Sequence, residues 1–96
     1  MRKILSNPSA VIFHGDSKGL PLPENFVDSI VCDPPAGIGF MGKAWDGDKG
    51  GRKQWIAWLV ETMEASYKAL KPGGHALVWA IPRTSHWTMT ALEEMG

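Results

Sequence analysis

Ninety-six residues, 44% apolar and 21% charged, describe one small soluble domain and exclude both a disordered tail and a multidomain assembly. Ten basic residues balance ten acidic ones, which excludes a chain drawn onto nucleic acid by its overall field. Cys32 is the only cysteine, so an intramolecular disulfide and a cysteine zinc site are excluded as well.

The N-terminus, Met1-Arg2-Lys3-Ile4-Leu5, has no apolar stretch long enough for a secretory signal, and nothing later approaches a membrane span. A cytoplasmic protein is expected. Ala10 to Phe13 is a short β-branched apolar run ended by His14-Gly15-Asp16, which predicts a strand with a sharp exit. Lys18 to Asn25, with two prolines and a glycine, predicts a loop or a broken helical turn. Phe26 to Cys32 predicts a second strand. Asp33-Pro34-Pro35 must end it, because proline cannot donate to a sheet ladder.

Ala36 to Gly51 is glycine-rich and irregular, a loop of the length usually kept for function. Then Trp55, Ile56, Leu59, Val60, Met63, Tyr67 and Leu70 fall at three- and four-residue spacing and predict an amphipathic helix over 53–70. Lys68 and Lys71 suit its C-terminal dipole, and Pro72-Gly73-Gly74 stops it. Ala76 to Ile81, apolar throughout, predicts a third strand buried on both faces. Thr84 or Ser85 can cap a last helix that carries Trp87, Ala91, Leu92 and Met95 on one side. Apolar strands alternating with helix predict an α/β fold, a mostly parallel sheet of about three strands with helices packed on it.

Two glycine patterns after Asp33 are decoys. Gly37-Ile38-Gly39-Phe40-Met41-Gly42 copies a dinucleotide loop, but two prolines precede it and Ala44-Trp45-Asp46 is no helix start. Gly37 to Lys43 imitates a phosphate loop, yet Ala44 stands where a magnesium-holding Ser or Thr is needed. No metal site is expected. A small nucleotide-binding module is therefore weakened as a function.

A strand ending in Asp33-Pro34-Pro35 puts a carboxylate at the carboxyl edge of a parallel sheet, where such sheets bind ligands. The carboxylate and the Pro34 carbonyl make two adjacent acceptors, and the exocyclic amino group of a base offers two donors. Holding both hydrogens would turn the nitrogen lone pair toward an electrophile. Three residues alone describe better a strand-ending turn whose carboxylate caps something local. Lys43, Lys49, Arg52 and Lys53 crowd the following loop. They suit either a solvated surface or contacts to DNA phosphates.

The stretch Gly15-Asp16, Leu20, Val27 to Pro35 and Gly37-Ile38-Gly39-Phe40 resembles the N-terminal region of DNA adenine and cytosine amino-methyltransferases. Phe40 to Asp46 is similar to the continuation in phage and prophage members, and Leu70-Lys71-Pro72-Gly73-Gly74 to the helix-to-strand turn of many methyltransferases. The resemblance runs from about Val11 to Gly96. It implies a single, partial Rossmann-like methyltransferase domain over 1–96, S-adenosylmethionine as cofactor, DNA as partner and a place in restriction-modification chemistry. Residue by residue, it implies that Asp33 and the Pro34 carbonyl grip the target amino group, that Pro35 fixes the turn and that Asp16 contacts the cofactor's adenine edge. A turn-forming Asp16 is the alternative.

One departure concerns the position after the second proline, where the family's aromatic residue stacks on a flipped-out base and this chain has Ala36. Stacking contributes about 1–3 kcal/mol per base, so Phe40 or Trp45 is expected to supply the ring unless both pack locally. The family's glycine-rich cofactor loop, and the acidic residue ending the strand after it, have no counterpart here. They are expected from downstream sequence or from a partner chain. The rival expectation is a truncated, inactive prophage remnant that folds as an interaction or dimerising module over its open strand edges.

Overall fold

The computed structural model describes residues 1–39, 42 and 47–96. The chain starts with a hairpin of β1 (Arg2–Ser6) and β2 (Val11–His14), paired antiparallel from Arg2↔His14 to Ser6↔Val11 with a bulge between Lys3 and Leu5. Asn7 makes the turn: its Oδ1 accepts from the backbone N–H of Ser9 at 2.8 Å and of Ala10 at 2.9 Å, and its own N–H donates to the Ala10 carbonyl. Asp16 and a single 3-10 turn at Ser17–Gly19 follow.

Strand β3 (Val27–Cys32) then runs to the Asp33-Pro34-Pro35 exit, helix α1 (Arg52–Ala69) crosses back, and β4 (Leu70–Val78) lies parallel to β3. The last carbonyls of α1 find partners outside the helix. The Asn25 N–H donates to Lys68 at 3.0 Å and the Phe26 N–H to Ala69 at 2.7 Å, so the end of the helix fixes the start of β3. Helix α2 (Ser85–Met95) closes the chain and packs on α1.

The structure corrects the expected sheet. The strand over 10–13 pairs with the unforeseen β1 in its own two-stranded antiparallel sheet, and only β3 and β4 are parallel. The third strand also begins earlier and ends sooner than 76–81. Leu70 already pairs with Val27, the next pair is Ser29↔His75, and residues 71–74 bulge out between them. Gly74 is required there, since a Cβ would meet the Asp28 and Lys71 carbonyl oxygens at 2.9 Å each. Lys71 Nζ spans the bulge to Asp28 Oδ1 at 2.9 Å, an exposed pair that adds about 0–1 kcal/mol.

The core lies on one side of β3 and β4. Trp55, Ile56, Leu59 and Met63 of α1 are buried with Ala91 of α2, and Cys32, Val78, Trp87, Leu92 and Met95 pack around them. The Trp55 ring lies 5.9 Å from Trp58 and 5.8 Å from Trp87, tilted to both. A cavity of about 240 Å³ remains between sheet and helices, lined by Ile30, Met63, Leu92 and Met95 among others. The other sheet face is bare: Val31 is 71%, Leu77 68% and Trp79 67% exposed. Burial of the third strand on both faces is therefore overturned, because both helices cover the same side and alternate residues point away from them. No helix is long and apolar enough to cross a membrane among the described residues.

Candidate functional site

Asp33 is the first residue beyond the carboxyl end of β3, and its side chain is exposed. Pro34, Pro35 and Ala36 are half-buried as the chain turns over the core, and Gly37 is buried. On the entry side, the Trp79 N–H donates to the Cys32 carbonyl at 2.9 Å, extending the parallel ladder to the edge of the turn. On the exit side, Thr84 Oγ1 donates to the Ala36 carbonyl at 2.7 Å. Neither the Asp33 carboxylate nor the Pro34 carbonyl has a hydrogen-bond or ion-pair partner among the described residues. Two acceptors thus follow each other at the strand end, with their lone pairs unspent among the described residues.

Cys32, just before them, is half-buried, and its thiol is pushed above the ordinary value, first by burial and then by the Asp33 charge. A raised folded-state value favours the thiol in the native protein. The resulting stability is present below the unfolded thiol's pKa and is lost as pH rises through the folded one. Accordingly, native protein is expected to react with iodoacetamide at pH 8 more slowly than the urea-unfolded chain. Equal rates would show a thiolate no harder to form in the fold than in the open chain.

Asp16 stands ahead of the 3-10 turn, where Oδ1 accepts from the Lys18 N–H at 2.9 Å and the Asp16 carbonyl from the Gly19 N–H at 3.0 Å. It therefore does the work of a turn-forming aspartate, and no strand pairing brings it beside Asp33. Lys18 Nζ reaches Glu61 of α1 at 3.5 Å. Lys49 adopts a positive φ of 60°, and its Nζ lies 4.6 Å from the Trp58 ring centroid, a cation–π distance. Arg52 and Lys53 are exposed in the first turn of α1, against the helix dipole and without an acidic neighbour in that turn. Phe40, Lys43 and Trp45 lie outside the described residues. No cluster of His, Cys, Asp and Glu suited to a metal occurs among the described residues.

Two neighbours of the turn went unforeseen. Thr84 carried the signal of a helix cap, but its hydroxyl goes to Ala36 and the cap is made by its carbonyl, which accepts from Trp87 and Thr88. Trp55 carried the periodicity of a core residue, which it is, and it also lies directly against Gly37.

The fold and site define an α/β unit with a two-acceptor carboxylate turn at the end of a parallel strand. Over 72 residues, 73% of this chain, it is 29% identical to the Type II methyltransferase M.BglII of Bacillus subtilis. The chain spans 19% of that relative's length. No family model matches, and no solved structure matches. The chain is similar to a methyltransferase over most of its length.

Proposed function

We propose that this chain carries the base-gripping part of an S-adenosylmethionine-dependent DNA amino-methyltransferase, of the adenine- or cytosine-directed kind found in restriction-modification systems and prophages. The observation that carries the proposal is the pair of unspent acceptors, Asp33 and the Pro34 carbonyl, at the carboxyl end of β3. The similarity to a Type II methyltransferase over 73% of the chain supports it. When bound, the cofactor supplies an electrophilic methyl group. The chain's part is to hold the two amino hydrogens, so that the lone pair faces that methyl and the positive charge gathering on nitrogen meets a carboxylate.

The fit to the cofactor is partial. Asp16 has one carboxylate oxygen engaged by Lys18 and is exposed, which leaves the other oxygen for an adenine amino group. No residue set for the methionine end occurs among the described residues. Phe40 or Trp45 is assigned the stacking role left open by Ala36, and Lys43, Lys49, Arg52 and Lys53 contacts to DNA phosphates. The exposed starting turn of α1 supports the last assignment for Arg52 and Lys53, since a helix start with added cations attracts anions. The bare face of Val31, Leu77 and Trp79 favours cover of the sheet by further polypeptide, from a partner chain or a second copy.

Calorimetric titration with S-adenosylmethionine tests the proposal first. Saturable heat, reduced in Asp16→Ala, is the expected result. A folded sample without heat would leave the chain as an inactive, folded relative of methyltransferases.

A further inference from the structure

Asp33 and the Pro34 carbonyl can grip one amino group only if their separation is fixed. Two consecutive prolines donate nothing, and no side chain of 33–37 makes a hydrogen bond among the described residues. Two contacts at the exit of the turn come from the two helices.

The Thr84 hydroxyl, on a residue only 4% exposed, is spent on the Ala36 carbonyl at 2.7 Å. At a helix start a threonine hydroxyl ordinarily accepts from the helix's own first N–H groups, and here it makes no such bond. From the other side comes Trp55, fully buried, with an indole Nε1 that has no hydrogen-bond partner among the described residues. A Cβ on Gly37 would sit 2.6 Å from that nitrogen and 2.9 Å from Cδ1, so the glycine backbone lies flat against the indole edge. A buried N–H without a partner is rare and costly, and it persists where something else is gained.

We propose that Thr84 and Trp55 form a clamp that positions the 33–37 turn: the hydroxyl pulls on Ala36 while the indole edge supports Gly37. Neither residue touches substrate. Both act through the turn, and the inference rests on the reading of Asp33 and Pro34 as the amino-group acceptors.

The Trp55 indole N–H is a built-in reporter, since water reaches it only when the turn lifts. Its solvent exchange can be followed by NMR on the full chain, beside the Leu59 amide as a monitor of global opening and the exposed Trp79 indole as reference. Thr84→Val keeps the shape and removes the hydroxyl. It is expected to speed Trp55 indole exchange about tenfold, the loss of roughly one net hydrogen bond; Leu59 speeds by no more than that factor, because the whole native state has lost the bond, and stays the slower of the two. Thr84→Ser should stay within about twofold of the parent, because it restores that bond. Gly37→Ala, which drives a Cβ into the indole, should also speed indole exchange. A Trp55 indole that exchanges no faster than Leu59 in Thr84→Val, or an unchanged indole rate in both Thr84→Val and Gly37→Ala, would overturn the clamp.

In methyl-transfer assays, Thr84→Val should lower kcat about tenfold, leave KM for DNA unaltered and recover in Thr84→Ser. Should the parent transfer no methyl group, the exchange rates still decide the clamp, and the silence counts against the methyltransferase reading instead.

Discussion

Asp33→Ala is expected to lower methyl transfer to DNA by about a hundred- to a thousandfold while leaving the melting temperature nearly unchanged. The rate loss is the size seen when one preorganised hydrogen-bonding group aimed at developing charge is removed. Stability is spared because the Asp33 side chain is exposed and, among the described residues, neither paired nor bonded. A surface change of that kind stays within about 0.5 kcal/mol. Asp33→Asn sharpens the test, since it keeps the shape and one acceptor oxygen but loses the charge. A rate close to that of Asp33→Ala would assign the effect to the charge, and one close to the parent would assign it to the acceptor. If Asp33→Ala transfers methyl groups at the parent rate, Asp33 is not the gripping carboxylate. The turn would then be only the end of a strand.

The sequence exposed those parts of the fold whose cause is local. The three- and four-residue spacing of Trp55, Ile56, Leu59 and Met63 needs nothing outside α1, and the helix runs from Arg52 to Ala69 as that spacing requires. The end of β3 was equally legible, because two prolines cannot extend a ladder. Pairing between segments was not. The strand over 11–14 has the composition of a parallel strand, yet it pairs with Arg2–Ser6, a short basic stretch made into a strand by the Asn7 turn. Apolar content likewise promised burial for Leu77 and Trp79, while burial depends on which side the helices take.

At the site the division is similar. Asp33, Pro34 and Pro35 stand beyond the end of β3, where their order along the chain put them, whereas the Asp16 carboxylate is engaged by the 3-10 turn that follows it. Thr84 and Gly37 were visible only as other things, a helix cap and part of a cofactor-like glycine pattern. A hydroxyl ahead of a helix looks the same in sequence whether it bonds its own helix or a distant carbonyl. A glycine kept for close approach to a tryptophan looks like one kept for a phosphate.

Trp55 and Trp79 make the sharpest test of where the core ends. Trp55→Ala is expected to cost about 3–5 kcal/mol, since the ring is fully buried among Ile56, Leu59 and two other tryptophans, and its removal leaves a void α1 cannot close. A domain of this size has about 5–15 kcal/mol in all, and this one has a bare sheet face and a cavity of about 240 Å³ beneath its helices. The variant should therefore lose most of its resistance to urea, with a far lower midpoint. Trp79→Ala removes a ring of the same size that is 67% exposed, and it should move the midpoint by no more than about 0.5 kcal/mol in dilute protein. Two tryptophans of equal weight in the composition thus separate into core and surface by one denaturation series. If Trp79→Ala proved as damaging as Trp55→Ala, and more so at high protein concentration, the open face would be a buried interface in solution. The cost would then belong to association rather than to the fold of the single chain.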